Sequence, residues 1–91
     1  MTNKTYNEFV DEINEVEITA RDTFYEQLII QEVRMFIILV QQSNDKDYLI
    51  DEDEVNFIIE RRGFNELESS CLRQLVYIIN KYVEVIQQNN D

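Results

Sequence analysis

The chain has 91 residues, of which 44% are apolar, and its 19 acidic and 8 basic side chains give a formal net charge of −11. It contains no histidine, so the usual general base and the commonest transition-metal ligand are both missing. Its single glycine excludes a glycine-rich phosphate-binding loop. These features predict one acidic helical domain over residues 1–91 that is not an enzyme and uses no cofactor or metal.

Two features of the sequence bear on where the protein works. The longest purely apolar run is Met35–Val40, far below the roughly 20 residues that a membrane-spanning helix needs. The residues Met1–Thr5 carry neither the apolar stretch nor the cleavage site that is typical of a signal peptide. The sequence therefore predicts a cytoplasmic protein without membrane contact, in which the lone Cys71 is a buried structural thiol.

The first predicted helix begins at a capping box. Thr5 is followed three residues later by Glu8, the spacing at which the two side chains satisfy each other's backbone N–H groups. We expect this helix to run from Thr5 to about Glu17, because apolar residues recur behind the cap at helical spacing. They are Tyr6, Phe9, Val10, Ile13 and Val16.

A second, longer helix is predicted after a short connector. The segment Val16–Ala20 alternates and contains β-branched residues, which favours an extended conformation. We expect Thr19 to cap the next helix against Asp22, and that helix to run to about Gln42. Its last turns, Met35–Val40, are apolar on every side and require cover from the bundle centre or from a subunit interface. A strand over part of this segment is the open alternative.

Two more helices are predicted after the polar loop at residues 41–47. Asp51 and Glu54 form a capping pair for the third helix. Arg61–Gly63 ends it, because cations suit a helix C-terminus and glycine accepts a left-handed cap.

The last predicted helix begins where Asn65 caps against Glu68, and it runs to about Gln87. Its apolar stripe contains Leu67, Cys71, Leu72, Leu75, Ile78, Ile79, Tyr82, Val83 and Ile86. Four helices, two of them long, predict an all-α compact bundle.

The acidic residues are concentrated in two blocks, each with a formal charge of −5. The first block is Glu8, Asp11, Glu12, Glu15 and Glu17, and the second is Asp45, Asp47, Asp51, Glu52, Asp53 and Glu54, with Lys46 as its one base. One interpretation is that both are solvated faces, since acids suit the first turns of helices and keep a small protein soluble. The other is a surface for an electropositive partner, which steers binding to basic proteins.

The spacing of the first block is compatible with imitation of a nucleic-acid backbone. Four of its acids, Glu8, Asp11, Glu12 and Glu15, are predicted to lie opposite the apolar stripe. Glu8 and Glu12 are then about 6 Å apart along the helix axis, and duplex DNA carries one phosphate per about 3.4 Å of axis on each strand. Such carboxylates could stand in for phosphates on a DNA-binding protein.

The second block overlaps a degenerate calcium-loop pattern. Acids occupy loop positions three, five, nine and twelve of an EF-hand, at Asp45, Asp47, Asp51 and Glu54. However, Ser43 replaces the first ligand and Tyr48 replaces the glycine of the sharp turn. A solvated acidic loop that caps the third helix is the better interpretation.

The small size, the two acidic blocks and the absence of catalytic residues resemble the small acidic anti-restriction proteins of bacteriophages. These are DNA mimics of the Arn-like type and, more distantly, of the Ocr-like type. The resemblance implies a homodimer whose acidic faces occupy the DNA site of a restriction nuclease or a nucleoid protein. The candidates for this dimer contact are Met35–Val40, which is apolar on every side, and aromatic residues such as Tyr25 and Tyr77.

Three functional hypotheses follow from these observations. The first is an acidic decoy that inhibits a basic DNA-binding protein of the host without binding nucleic acid itself. The second is a helical adaptor or immunity-type protein that binds its partner through an apolar surface and uses its acids only for steering. The third is a calcium-responsive helix pair.

Overall fold

The computed structural model describes residues 5–89, and within them the backbone forms five α-helices and no strand. These are α1 (Tyr6–Glu15), α2 (Thr23–Gln42), α3 (Glu52–Arg62), α4 (Glu66–Lys81) and α5 (Val83–Gln88). The predicted all-α fold class is confirmed. The expectation drawn from Met1–Lys4 concerns residues outside the described range.

Two predicted capping boxes are present. At the start of α1, the Thr5 hydroxyl accepts from the Glu8 N–H at 3.2 Å and the Glu8 carboxylate accepts from the Thr5 N–H at 2.8 Å. At the start of α4, Asn65 and Glu68 make the same reciprocal pair. Each box satisfies two N–H groups that a helix leaves unpaired at its first turn.

Both ends of α3 also lie where the sequence predicts them. Asp51 is its N-cap and accepts from the Glu54 N–H at 2.9 Å. Gly63 follows its last residue at φ 68°, in the left-handed conformation that ordinary side chains rarely adopt. This glycine turns the chain so that Phe64 enters the core.

The connector before α2 is non-helical as predicted, but two of its details differ. Glu15, not Glu17, is the last residue of α1. Asp22 rather than Thr19 is the N-cap of α2, and it accepts from the Tyr25 N–H at 3.0 Å. The Thr19 hydroxyl instead donates to the Leu67 carbonyl at 3.5 Å, a contact 48 residues away in sequence that local spacing does not reveal. The strand alternative is wrong, since α2 is unbroken.

The predicted last helix is divided, which gives five helices in residues 5–89 instead of the four expected. The break lies at Tyr82, whose φ of −118° and ψ of 25° leave the helical region. Neither proline nor glycine marks this position. Tyr82 is buried and donates its hydroxyl proton to the Glu12 carboxylate, so a tertiary contact outweighs the local helical preference.

Helix α4 is the central element, because α1, α2 and α3 all pack against it, and α5 packs against α1 and α2. Cys71 is buried as predicted, and Tyr82 and the partly buried Tyr6 both belong to the core. Leu67 does not join its predicted stripe and is exposed, as is Phe24. The buried apolar residues are Phe9, Leu28, Ile29, Val33, Phe36, Val40, Ile50, Val55, Phe64, Cys71, Leu72, Leu75, Val76, Ile78, Ile79, Tyr82, Val83 and Ile86.

Two buried carboxylates tie the helices together. Glu68 accepts from the backbone N–H, Nε and Nη2 of Arg21 at 2.7–2.9 Å, which fastens the connector before α2 to the start of α4. Glu32 on α2 accepts from Nε of Arg62 on α3 at 2.7 Å. Buried charges are tolerated when they are paired in this way. Among the residues described, no helix has the length and apolar character needed to cross a membrane.

Candidate functional site

The side of α4 that faces solvent carries a row of large side chains. Arg73, Tyr77 and Lys81 follow one another at four-residue intervals, so they share one face of the helix over about 12 Å. Tyr77 is 67% exposed. Glu66, seven residues before Arg73, is exposed at the head of the same row. These four residues are referred to below as the outer face of α4.

The first acidic block meets this face through Glu12. The Glu12 carboxylate accepts from Nζ of Lys81 at 2.7 Å and from the hydroxyl of Tyr82. It is half-buried, so its predicted position on the solvent face is wrong. The hydrogen bond to Glu12 raises the pKa of Tyr82 to about 12 and also raises the pKa of Lys81, since a carboxylate favours the protonated form of both.

The other acids of the first block remain exposed. Glu8 and Glu15 lie one turn to either side of Glu12, so they occupy the edge of α1 that borders α4. Asp11 points further outward into solvent. Glu17 lies in the connector, where its backbone carbonyl accepts from the Cys71 thiol at 3.8 Å.

The second acidic block reaches the outer face of α4 from the opposite side. The Glu52 carboxylate accepts from Nε of Arg73 at 3.1 Å, and Arg73 also donates to Oδ1 of Asn56 at 2.9 Å. Asp51 and Glu52 line a depression of about 230 Å³ together with Arg73 and Tyr77. Acids from both blocks therefore flank the same helix.

The structure does not bring the whole second block together. Asp45 and Asp47 lie in the loop, where the Asp45 carboxylate accepts from the Asp47 N–H at 2.9 Å. Asp53 is exposed in the first turn of α3. Glu54 lies on the other side of α3 from Glu52, since two residues advance about 200° around a helix, and it faces α2 instead of α4.

We define the acidic face by the acids that border α4 and by the row that they flank. Six acidic and two basic side chains leave it with a formal charge of −4. Its members are Glu8, Glu12, Glu15, Asp51, Glu52, Glu66, Arg73, Tyr77 and Lys81. Sequence reasoning missed Glu66, Arg73 and Lys81 and named Tyr77 only as a candidate dimer contact, although the four-residue spacing of Arg73, Tyr77 and Lys81 on a predicted helix was a signal that could have identified the row.

The EF-hand-like segment that contains Ser43 and Asp51 does not form a cluster of calcium ligands among the described residues. The Ser43 hydroxyl accepts from the Asp45 N–H at 3.1 Å, so this loop position is used in a local turn. Asp51 is engaged as the cap of α3. Within residues 5–89 no group of three or more Cys, Asp or Glu side chains could hold a metal ion.

An apolar groove lies on the side of the molecule that α2 forms. The segment Met35–Val40 is covered on one side only, where Phe36 and Val40 are buried. On its open side Met35, Ile38 and Leu39 are exposed, so the bundle of a single chain does not supply the predicted cover on that side. Met35 and Leu39 line a groove of about 470 Å³ between α2 and α3, together with residues of α3 that include Phe57 and Arg61.

Comparison with known proteins gives no relative for this chain. No protein-family model, no curated protein and no solved structure matches it. The function is therefore argued from the acidic face and the groove alone.

Proposed function

We propose that the protein is a non-catalytic acidic decoy that binds the DNA-contacting surface of a basic host protein, such as a restriction nuclease or a nucleoid protein, and inhibits it. The observation that carries this proposal is that five acids from two blocks, separated by nearly 30 residues of chain, lie on the two sides of α4. Solvation alone does not require acids of both blocks to form ion pairs with the same helix.

The electrostatics of the acidic face support this proposal. Arg73 and Lys81 are each engaged by one acid of the face, Glu52 and Glu12 respectively. These ion pairs hold Glu52 and Glu12 against α4. The remaining acids of the face stay exposed toward a partner. A fixed array of like charge attracts a surface of opposite sign, and it raises the association rate most at low salt.

Tyr77 gives the acidic face a point of attachment that charge alone does not provide. Its ring is exposed midway between Arg73 and Lys81 and beside the depression that Asp51 and Glu52 line. Tyrosine is enriched among the residues that dominate binding energy at interfaces, and its ring attracts cations over its face. A lysine or arginine of a DNA-binding surface has complementary chemistry. The resemblance to phage DNA mimics further leads us to propose that the active species is a homodimer.

The proposal is tested with two triple variants of equal net charge. The first, Glu8→Gln, Glu15→Gln and Asp51→Asn, removes three charges from the acidic face. The control, Glu26→Gln, Asp22→Asn and Glu60→Gln, removes three charges elsewhere. Each variant changes one acid in a first helical turn, one Asp N-cap and one acid in a last turn, and asparagine is also a good N-cap.

Tagged protein is exposed to the fraction of host proteins that bind to immobilised duplex DNA. We expect the wild type and the control to capture proteins from this fraction, and free duplex DNA to displace them. The acidic-face variant should capture at least tenfold less, because three attractive charges are lost at the contact. Equal capture by the two variants, or capture that duplex DNA does not reverse, would contradict the decoy function; the latter favours the adaptor hypothesis.

A further inference from the structure

The groove between α2 and α3 exposes a contiguous patch of apolar side chains. Met35, Leu39 and Phe57 line it, and Phe57 is 61% exposed. Together with the neighbouring Ile38, these side chains expose apolar surface on the order of 400 Å², a size at which patches on a small protein commonly mark an interaction site.

The charges of the groove differ from those of the rest of the molecule. Its ionisable residues are two acids and two bases, Glu32, Glu54, Arg61 and Arg62, and they cancel in a chain whose net charge is −11. Two copies of such an acidic chain repel each other over most orientations. The groove is a surface on which they can approach without a net charge on either side.

The order of residues along α3 makes this surface complementary to itself. Glu54, Phe57 and Arg61 recur at intervals of three and four residues, so they form one stripe beside the groove. When two copies of α3 pack antiparallel about an axis near Phe57, Glu54 of each copy faces Arg61 of the other. A twofold interface requires this kind of self-complementarity, because the same patch must serve on both subunits.

The two side chains at the ends of the stripe are available for such a contact. Glu54 is exposed, and the Arg61 side chain is 57% exposed. Arg61 lies at 4.0 Å from the Glu32 carboxylate, which already has a closer partner in Arg62 at 2.7 Å. On a single chain, Glu54 and Arg61 are about 10 Å apart along the helix axis, too far to pair with each other.

We infer that the α2–α3 groove is occupied by a second copy of this chain, packed antiparallel about a twofold axis near Phe57, with Glu54 and Arg61 paired across the interface. The central row of the acidic face, Arg73, Tyr77 and Lys81, lies on α4, which takes no part in this interface. The inference rests on the homodimer of the proposed function and assigns its interface, and its test needs no other protein.

The first experiment measures the mass of the purified protein by sedimentation equilibrium over a concentration series. We expect the wild type to reach the dimer mass at micromolar concentrations. Phe57→Asp should weaken dimerisation at least tenfold, because it removes an apolar ring at the axis and puts two like charges there. Leu67→Asp is the matched control, since Leu67 is 60% exposed on another helix, and it should not change the dissociation constant.

The second experiment tests the antiparallel register through charge reversal. Glu54→Arg and Arg61→Glu should each weaken the homodimer, because each one places like charges opposite each other. An equimolar mixture of the two single variants should restore dimers, since both cross-pairs in the mixed species are again attractive, and the double variant should also dimerise. Circular dichroism confirms that each variant is folded.

A wild type that stays monomeric at 100 μM or more would overturn the inference, and so would an undiminished dimer in Phe57→Asp. Failure of the mixed single variants to dimerise would reject the antiparallel register. These masses are measured in the absence of any DNA-binding protein. A monomeric result would therefore reject the dimer, while the capture experiment would still test whether the protein binds a DNA-binding protein.

Discussion

At the scale of single residues, the carboxylates of this protein have three distinct roles that their number alone does not reveal. Glu68 is buried and paired with Arg21, Glu12 is half-buried against Lys81 and Tyr82, and Glu15 is exposed. Sequence spacing predicted the capping role of Glu68, because a capping box is a local pattern. It did not predict the partners of Glu12, because these come from residues about 70 positions away.

The pairing of Glu68 with Arg21 leads to a prediction about stability. Arg21→Ala leaves a carboxylate with no exposed surface and without its cation, and we expect it to lower the free energy of unfolding more than the loss of an exposed pair does. The control Arg73→Ala breaks an exposed pair and should cost about 1 kcal/mol or less. Urea denaturation at neutral pH measures both. Equal losses would show that the buried pair contributes no more to the free energy of unfolding than the exposed pair does.

The same pair has a defined dependence on pH. Hydrogen bonds from Arg21 lower the pKa of Glu68 from 4.5 to about 2, so the native state holds the charged form more strongly than the unfolded chain does. The stabilisation is complete above pH 4.5 and is lost as the pH falls to about 2. The difference in unfolding free energy between wild type and Glu68→Gln should therefore shrink over this range. If this difference in unfolding free energy stayed constant between pH 7 and pH 2, the pH dependence assigned to the Glu68–Arg21 pair would be contradicted.

At the scale of helices, the parts that the sequence predicted best are those governed by neighbouring residues. The N-caps at Thr5, Asp51 and Asn65 and the end of α3 at Gly63 all follow local rules of hydrogen bonding and backbone conformation. The break at Tyr82 was missed because neither proline nor glycine marks it in the sequence. The acidic face was only half predicted: the blocks are visible in the sequence, but their arrangement around α4 is tertiary.

The end of α3 provides a prediction at this scale. Gly63 has a φ of 68°, and an added Cβ atom would meet nothing within 4 Å, so substitution changes only the conformational cost. Gly63→Ala should lower the free energy of unfolding by about 1 kcal/mol. Gly63→Asn should cost less, because asparagine tolerates the left-handed conformation better. Thermal denaturation of both variants checks the order, and a reversed order would contradict this account.

At the scale of the whole molecule, the helices separate two surfaces of different chemistry. The acidic face surrounds α4, whereas the α2–α3 groove is apolar and has no net charge. Composition alone predicted a strongly acidic protein, but it could not show that one surface, the α2–α3 groove, carries no net charge. This separation allows one surface to bind a basic protein while the other binds a second copy of the chain.

The most direct measurement for the central claim is carboxylate footprinting of the complex with a captured DNA-binding protein. A carbodiimide couples an amine to accessible carboxylates, and mass spectrometry then compares labelling of the free and bound states. We predict that binding protects Glu8, Glu15 and Asp51, while labelling of Glu26 and Glu60 is unchanged. Unchanged labelling of Glu8, Glu15 and Asp51 in a saturated complex would show that the acidic face is not the binding surface.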